Sequence, residues 1–206
     1  MKQGIFEIKS NVALTATVYK MVLTGYTSAI TCPGQFVNIL LDGLFLRRPI
    51  SVNDCVGSEL TLIYKVVGKG TEQMAGMVAG QTLDVLTGLG NGYDLSKAGD
   101  KPLLIGGGVG VPPLYMLARQ LREAGKDVTV ILGFNTKDEV FYEDKFAALG
   151  VRVLVTTADG SCVELRKGLS LAAGAGLQID MTPPIGATVT ADGSKTSALR
   201  HAVRFD

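Results

Sequence analysis

Two segments of the sequence hold residue types suited to phosphate. In Gly106-Gly107-Gly108-Val109-Gly110-Val111-Pro112-Pro113, glycines follow the apolar run Leu103-Leu104-Ile105 and precede a helical period. Amides at a strand-to-helix turn point toward an anion, the helix dipole favours negative charge there, and missing side chains let a pyrophosphate come close. Pro112 suits the first helical turn. The segment is not a strict G-x-G-x-x-G, because Pro113 stands where the third glycine would be. A tight turn with no ligand would read alike. In Leu46-Arg47-Arg48-Pro49-Ile50-Ser51-Val52, two arginines and a proline interrupt an apolar β region. The planar arginine fork matches phosphate oxygens, Pro49 fixes the backbone and Ser51 adds a hydroxyl. An edge strand guarded by charge against aggregation would carry the same residues.

Other chemistries find little support. Cys32, Cys55 and Cys162 include no CxxC pair, so neither a zinc site nor a redox dithiol is indicated. The lone His201 is read as solvent-exposed, and no catalytic acid or base is named. A net charge of +1 without a Lys/Arg run leaves no footprint for nucleic acid or an anionic membrane. Apolar runs such as residues 128–132 fall far short of the roughly 20 residues of a membrane span. The N-terminus shows no signal-peptide pattern, so a cytoplasmic protein is expected.

The elements that must hold these segments fall into two groups. Residues 5–8, 12–23, 35–41, 49–53 and 59–67 are β-rich, with turn signals at Thr24-Gly25, Pro33-Gly34 and Asn53-Asp54. That spacing predicts a small antiparallel barrel, completed by a short helix at 71–77 and a strand at 82–86. After Asp100-Lys101-Pro102 the pattern becomes strand, helix, strand, helix, strand. Val111, Leu114, Ala118 and Leu121 mark one helical face and Gly125 stops it; strands at 128–132 and 151–155 flank a helix at 138–149. This predicts a parallel α/β sheet. The domains are placed at 1–99 (barrel), 100–161 (a partial nucleotide-binding domain) and 162–206 (a tail). Three parallel strands are few for a nucleotide-binding sheet, which runs to about six.

Taken together, the arginine–serine strand and the glycine turn resemble the ferredoxin–NADP reductase superfamily. The likeness narrows through Leu62-Ile63-Tyr64-Lys65-Val66-Val67-Gly68-Lys69-Gly70-Thr71, Gly88-Leu89-Gly90-Asn91-Gly92-Tyr93, Leu132-Gly133-Phe134, Asp138-Glu139-Val140-Phe141-Tyr142 and Thr156-Thr157-Ala158-Asp159-Gly160-Ser161. In this order the motifs look like the electron-transfer subunit family of dihydroorotate dehydrogenase B, over residues 1 to about 161. The resemblance implies a flavoprotein of pyrimidine biosynthesis. Electrons would pass from an FMN-containing, dihydroorotate-oxidising catalytic subunit, through a [2Fe–2S] cluster, to FAD and on to NAD, in a heterotetramer. It implies that Arg48, Pro49, Ile50 and Ser51 form the first FAD segment, with Arg48 near the pyrophosphate and Ser51 near the flavin ring. Ile63, Tyr64 and Lys65 would form the second, where main chain and aromatic ring line the cofactor. Gly70 and Thr71 would form the third. Gly106, Gly107, Gly108, Val109, Gly110 and Pro112 would hold the NAD pyrophosphate, with Asp159-Gly160-Ser161 at the nucleotide's far side. From the residues alone, Tyr64 reads equally as a packed strand residue and Thr71 as a helix N-cap. A stand-alone NAD(P)H–flavin reductase, another electron-transfer subunit of the superfamily, or a cofactor-free remnant are the competing expectations.

The sequence departs from the family after residue 161. A [2Fe–2S] cluster needs four thiolates or their equivalent, and no cysteine follows Cys162. The expectation is therefore that the cluster ligands are absent, that electron transfer is impaired and that the chain is inactive alone. Ala175-Gly176-Leu177-Gln178-Ile179-Asp180 still resembles the family, and the likeness ends there. An out-of-frame translation from Met181 and a divergent but genuine end are the two readings of the remainder, separable by sequencing the gene.

Overall fold

The protein is described by a computed structural model, which covers residues 1–162 and the short strand Ala198–Leu199. It divides into two compact units, Met1–Tyr93 with Pro112–Leu117, and Asp94–Val111 with the chain from Ala118.

In the first unit, apolar residues at every second position fold as strands with one inward face. β1 (Lys2–Ala13) buries Phe6 and Ile8 completely and turns Ile5 outward. β2 (Val18–Thr24) buries Met21 and Leu23, β3 (Phe36–Leu40) Val37 and Ile39. β4 (Arg48–Val56) contributes Val52, β5 (Glu59–Lys65) Leu60 and Leu62, and β6 (Thr82–Leu89) Leu83 and Val85. These faces meet in one core, into which Met74 of the helix α1 (Lys69–Ala75) also packs. The strands close into an antiparallel barrel in the order β1-β2-β5-β4-β3-β6. The run 12–23, expected as one strand, is a hairpin: β1 ends at Ala13 and β2 begins at Val18, with Ala13 paired to Tyr19. Thr15 makes the turn, its hydroxyl accepting from the Val18 amide at 3.1 Å. A hydroxyl does here what Gly or Asn does elsewhere, so the usual turn residues are missing.

In the second unit β7 (Leu103–Gly107), β8 (Thr129–Phe134) and β9 (Arg152–Thr157) run parallel. Helix α2 (Pro113–Glu123) connects β7 to β8 and buries Leu114, Ala118 and Leu121 along the expected face. The helix expected at 138–149 is shorter: a 3₁₀ turn at Lys137–Glu139 precedes α3 (Glu143–Ala148). Ala198–Leu199 forms strand β10 beside β7, giving the order β10-β7-β8-β9. The other expectations for the tail, including His201 and the reading-frame question, fall on residues outside those described. Among the described residues no helix is long and apolar enough to cross a membrane.

Candidate functional site

The barrel has a seam. β4 and β5 pair from Val56↔Glu59 to Val52↔Leu62, with an irregularity between Val52 and Asp54. Continued in register, the ladder would next join Ser51 to Ile63, Ile50 to Tyr64 and Pro49 to Lys65, but it stops. Beyond that point, among the described residues, β4 pairs only with β3, through Phe36↔Ser51, Val37↔Ile50, Asn38↔Pro49 and Ile39↔Arg48. Among the same residues β5 pairs there only with β2, through Lys20↔Ile63, Tyr19↔Tyr64 and Val18↔Lys65. The first two expected cofactor segments are therefore facing lips of one gap. Pro49, which lacks an N–H, is suited to such an edge.

The third segment lies against the first. α1 follows β5, and a Cβ placed on its Gly70 would overlap the Arg48 side chain, so the guanidinium runs directly across this glycine. Arg48 also donates to the Leu46 carbonyl. Its neighbour Arg47 points elsewhere. There Nη1 donates to Asp84 Oδ1 at 3.0 Å and to the Asn38 carbonyl at 3.2 Å, tying β3 to β6. Asp84 is partly shielded from water, which raises a carboxyl, yet the Arg47 and Gln3 hydrogen bonds hold it below its usual range. The two arginines thus separate into one clamp and one that lies along the seam.

Thr71 and Tyr64 are committed within the protein. The Thr71 hydroxyl accepts from the Val67 amide at 2.9 Å and the Gly68 amide at 3.2 Å, and donates to the Gly68 carbonyl at 3.0 Å. It shapes the approach to α1, leaving the amides of the first turn outside the helical ladder. Tyr64 is 2% exposed and packs in the core, its ring stacked on Tyr19 at 6.0 Å. Its hydroxyl donates to Asn11 Oδ1 at 3.0 Å, and burial pushes its pKa up to about 12. The packed-strand alternative describes this ring, and Ile63 is buried beside it at 3%. Ser51 and Lys65 are half-buried at the gap.

In the second unit Gly106 and Gly107 end β7, and Gly108–Gly110 form a single 3₁₀ turn before α2. Gly108 has φ +51°, which a residue with a Cβ adopts at a cost, and nothing lies within 4 Å of a Cβ built at either Gly108 or Gly110. Val109 is half-exposed. Pro113, not Pro112, is the first helical residue. The ends of β8 and β9 lie on the same edge of the sheet, where parallel sheets bind ligands. Their loops are fastened together there. The Ala158 amide donates to the Phe134 carbonyl at 2.9 Å, and the Lys137 amide to Ser161 Oγ at 2.9 Å. Asp159 Oδ1 accepts from the Ser161 hydroxyl at 2.6 Å and amide at 2.9 Å, which holds its carboxyl low. Among the described residues no three His, Cys, Asp or Glu side chains are grouped to hold a metal.

Sequence reasoning missed Asn11 and the clamp role of Arg47. An asparagine, a residue depleted in strands, late in β1 was the available signal for the first.

No family model matches the sequence. The dihydroorotate dehydrogenase B (NAD(+)) electron transfer subunit of Fusobacterium nucleatum is 47% identical over 162 residues, which is 75% of this chain and 62% of that protein. The subunit of the same name from Shouchella clausii is 43% identical over 168 residues, 78% of this chain and 64% of that one. The chain thus spans a little over three-fifths of the length of these curated relatives. Among solved structures, an NADH-dependent reduced ferredoxin-NADP oxidoreductase superposes with a TM-score of 0.69 at 34% identity, covering 78% of this chain and 59% of the other. A Neisseria gonorrhoeae ferredoxin NADP+ reductase, solved with bound FAD and NADP, shares the fold with a TM-score of 0.66 at 20% identity, over 76% of this chain and 69% of that one. A six-stranded closed barrel followed by a parallel α/β sheet is the ferredoxin-reductase-like arrangement, and over its aligned residues the chain is similar to dihydroorotate dehydrogenase B electron transfer subunits.

Proposed function

We propose that this chain binds FAD in the β4–β5 seam and passes electrons between a dihydroorotate-oxidising partner subunit and NAD. The observation that carries the proposal is Arg48, laid across Gly70 at the mouth of a gap whose lips are Arg48–Ser51 and Ile63–Lys65. A cationic fork beside first-turn amides offers charge-assisted hydrogen bonds to a pyrophosphate. Main chain of Ser51 and Ile63, which the β4–β5 ladder leaves unjoined to each other, would supply donors and acceptors for the polar edge of a flavin ring. Buried Tyr64 and Ile63 give that edge a rigid floor, so the tyrosine contributes through its position and not its ring face. A bound flavin would supply the ability to exchange a hydride with nicotinamide and also to pass single electrons. The residues named here orient and solvate it, and none is assigned an acid–base step.

In the second unit, the open turn Gly106–Gly110 is proposed to take the NAD pyrophosphate, with Pro112 and Pro113 fixing the entry to α2. The Asp159-Gly160-Ser161 turn, fastened to the loop after β8, would bound the far side of the nucleotide. The partner is proposed to be an FMN-containing catalytic subunit, in a heterotetramer. Anaerobic NADH should bleach the flavin absorbance of the FAD-loaded chain, and a dihydroorotate-oxidising protein should co-purify with it from its own cells. Failure to bleach would remove the NAD assignment. The 34% identity to an NADH-dependent ferredoxin-NADP oxidoreductase favours a second reading, an electron-transfer subunit serving a different flavoprotein. Co-purification with a partner that does not oxidise dihydroorotate would select it.

A further inference from the structure

One side-chain amide joins three elements of the first unit. Asn11, near the end of β1 and half-buried, uses both ends of its amide. Nδ2 donates to the Met74 carbonyl at 2.8 Å and the Met77 carbonyl at 2.9 Å, with the Ala75 carbonyl at 3.4 Å. Oδ1 accepts from the Tyr64 hydroxyl at 3.0 Å. The carbonyls belong to the end of α1 and the turn after it, where a helix runs out of its own i+4 donors; the Met74 carbonyl also accepts from the Met77 amide at 3.1 Å.

α1 has seven residues, too few to be stable by itself in water. Its place is set by fastenings to the barrel. The Thr71 hydroxyl brackets its start, Met74 in its last turn is fully buried, and Asn11 holds its end. The same short helix carries Gly70 against Arg48. A shift at its C-terminal end is therefore transmitted along one rigid turn to the place where a pyrophosphate would be held.

We propose that Asn11 is a positioning residue for the flavin site: by clamping the end of α1 to β1 and β5 it keeps Gly70 seated on Arg48. The inference rests on the FAD reading of the seam. It separates from the Tyr64 contact, because Tyr64→Phe removes one hydrogen bond and leaves both short bonds from Nδ2 to α1. Asn11→Asp does the reverse, keeping size and the acceptor for Tyr64 while turning a carboxylate oxygen toward the helix carbonyls.

The decisive experiment measures the affinity of the full chain for FAD and for riboflavin, by quenching of flavin fluorescence, in wild type, Asn11→Ala, Asn11→Asp and Tyr64→Phe. Riboflavin has no pyrophosphate and reports on the ring site alone. Asn11→Ala and Asn11→Asp should each weaken FAD about tenfold to a hundredfold, as the loss of two hydrogen bonds predicts. In the Asn11 variants riboflavin affinity should change less than about threefold, whereas any loss in Tyr64→Phe, at the floor of the ring site, should be equal for FAD and riboflavin. Both Asn11 variants binding FAD like wild type, or losing FAD and riboflavin equally, would overturn the assignment. A wild-type chain that binds no FAD would instead overturn the site reading itself, and the proposal with it.

Discussion

Arg48 lies across Gly70 so closely that a methyl group on residue 70 would collide with its guanidinium. The contact gives Gly70→Ala effects of opposite sign on folding and on binding. Alanine is favoured over glycine inside a helix by about 1 kcal/mol, while Arg48 must swing away to admit the methyl group. Thermal unfolding of the variant should stay within a few degrees of wild type, and its affinity for FAD should fall about tenfold or more. Unchanged FAD affinity would show that Arg48 does not face the cofactor.

The adjacent arginines should separate in the same way. Arg48→Ala removes the proposed pyrophosphate contact and should weaken FAD about tenfold to a hundredfold with little loss of stability. Arg47→Ala breaks the bond to Asp84 and the bond to the Asn38 carbonyl. Because that pair is only partly buried, the cost should be about 1 kcal/mol, read as a lower denaturant midpoint. The Asp84 carboxyl is held below its usual range in the fold, so this contribution is present above the unfolded-state pKa and lost as acid protonates Asp84. Urea midpoints of Arg47→Ala and wild type should therefore converge on acidification.

Tyr64 makes the opposite prediction at high pH. Its pKa is raised from 10.0 to about 12, first by burial, while the Asn11 hydrogen bond works against the shift. A raised folded-state pKa means stability that is complete below the unfolded value and lost as pH climbs toward the folded one. Wild type should lose stability between about pH 10 and pH 12. Tyr64→Phe should lose less over that range. Part of the loss will remain, because burial also raises Tyr93. Equal slopes of urea midpoint against pH would contradict the burial of Tyr64.

In the second unit, Gly108 and Gly110 predict different failures. Gly108 has φ +51°, so Gly108→Ala should cost about 1–2 kcal/mol of stability. Gly110 lacks that strain, and a Cβ there meets open space. Gly110→Ala should therefore fold like wild type yet fill part of the space proposed for the NAD pyrophosphate. Calorimetric titration with NADH should show weaker binding by Gly110→Ala with unchanged unfolding.

The legible parts of this molecule are those written in local chemistry. The glycines at 106–110 mark a turn through their own backbone freedom, and the face of α2 shows in the spacing of Leu114, Ala118 and Leu121. Ser51 and Ile63 are different. Each stands in a recognisable segment, but their failure to pair depends on the register of β4 against β5, which neither segment encodes alone. The Asn11 clamp reaches residues 63 to 66 positions away, beyond any periodicity in the sequence. The Thr15 turn was hidden because a threonine hydroxyl, favoured in strands as well as turns, replaced the usual signals.

Everything proposed for the first unit depends on the β4–β5 seam being a FAD site. Its most direct measurement is the visible spectrum of the full chain after incubation with FAD and removal of free flavin, for wild type and Arg48→Ala side by side. About one flavin should be retained per wild-type chain, with a clear loss in Arg48→Ala. Wild type emerging without flavin absorbance, or both proteins retaining it equally, would contradict the assignment.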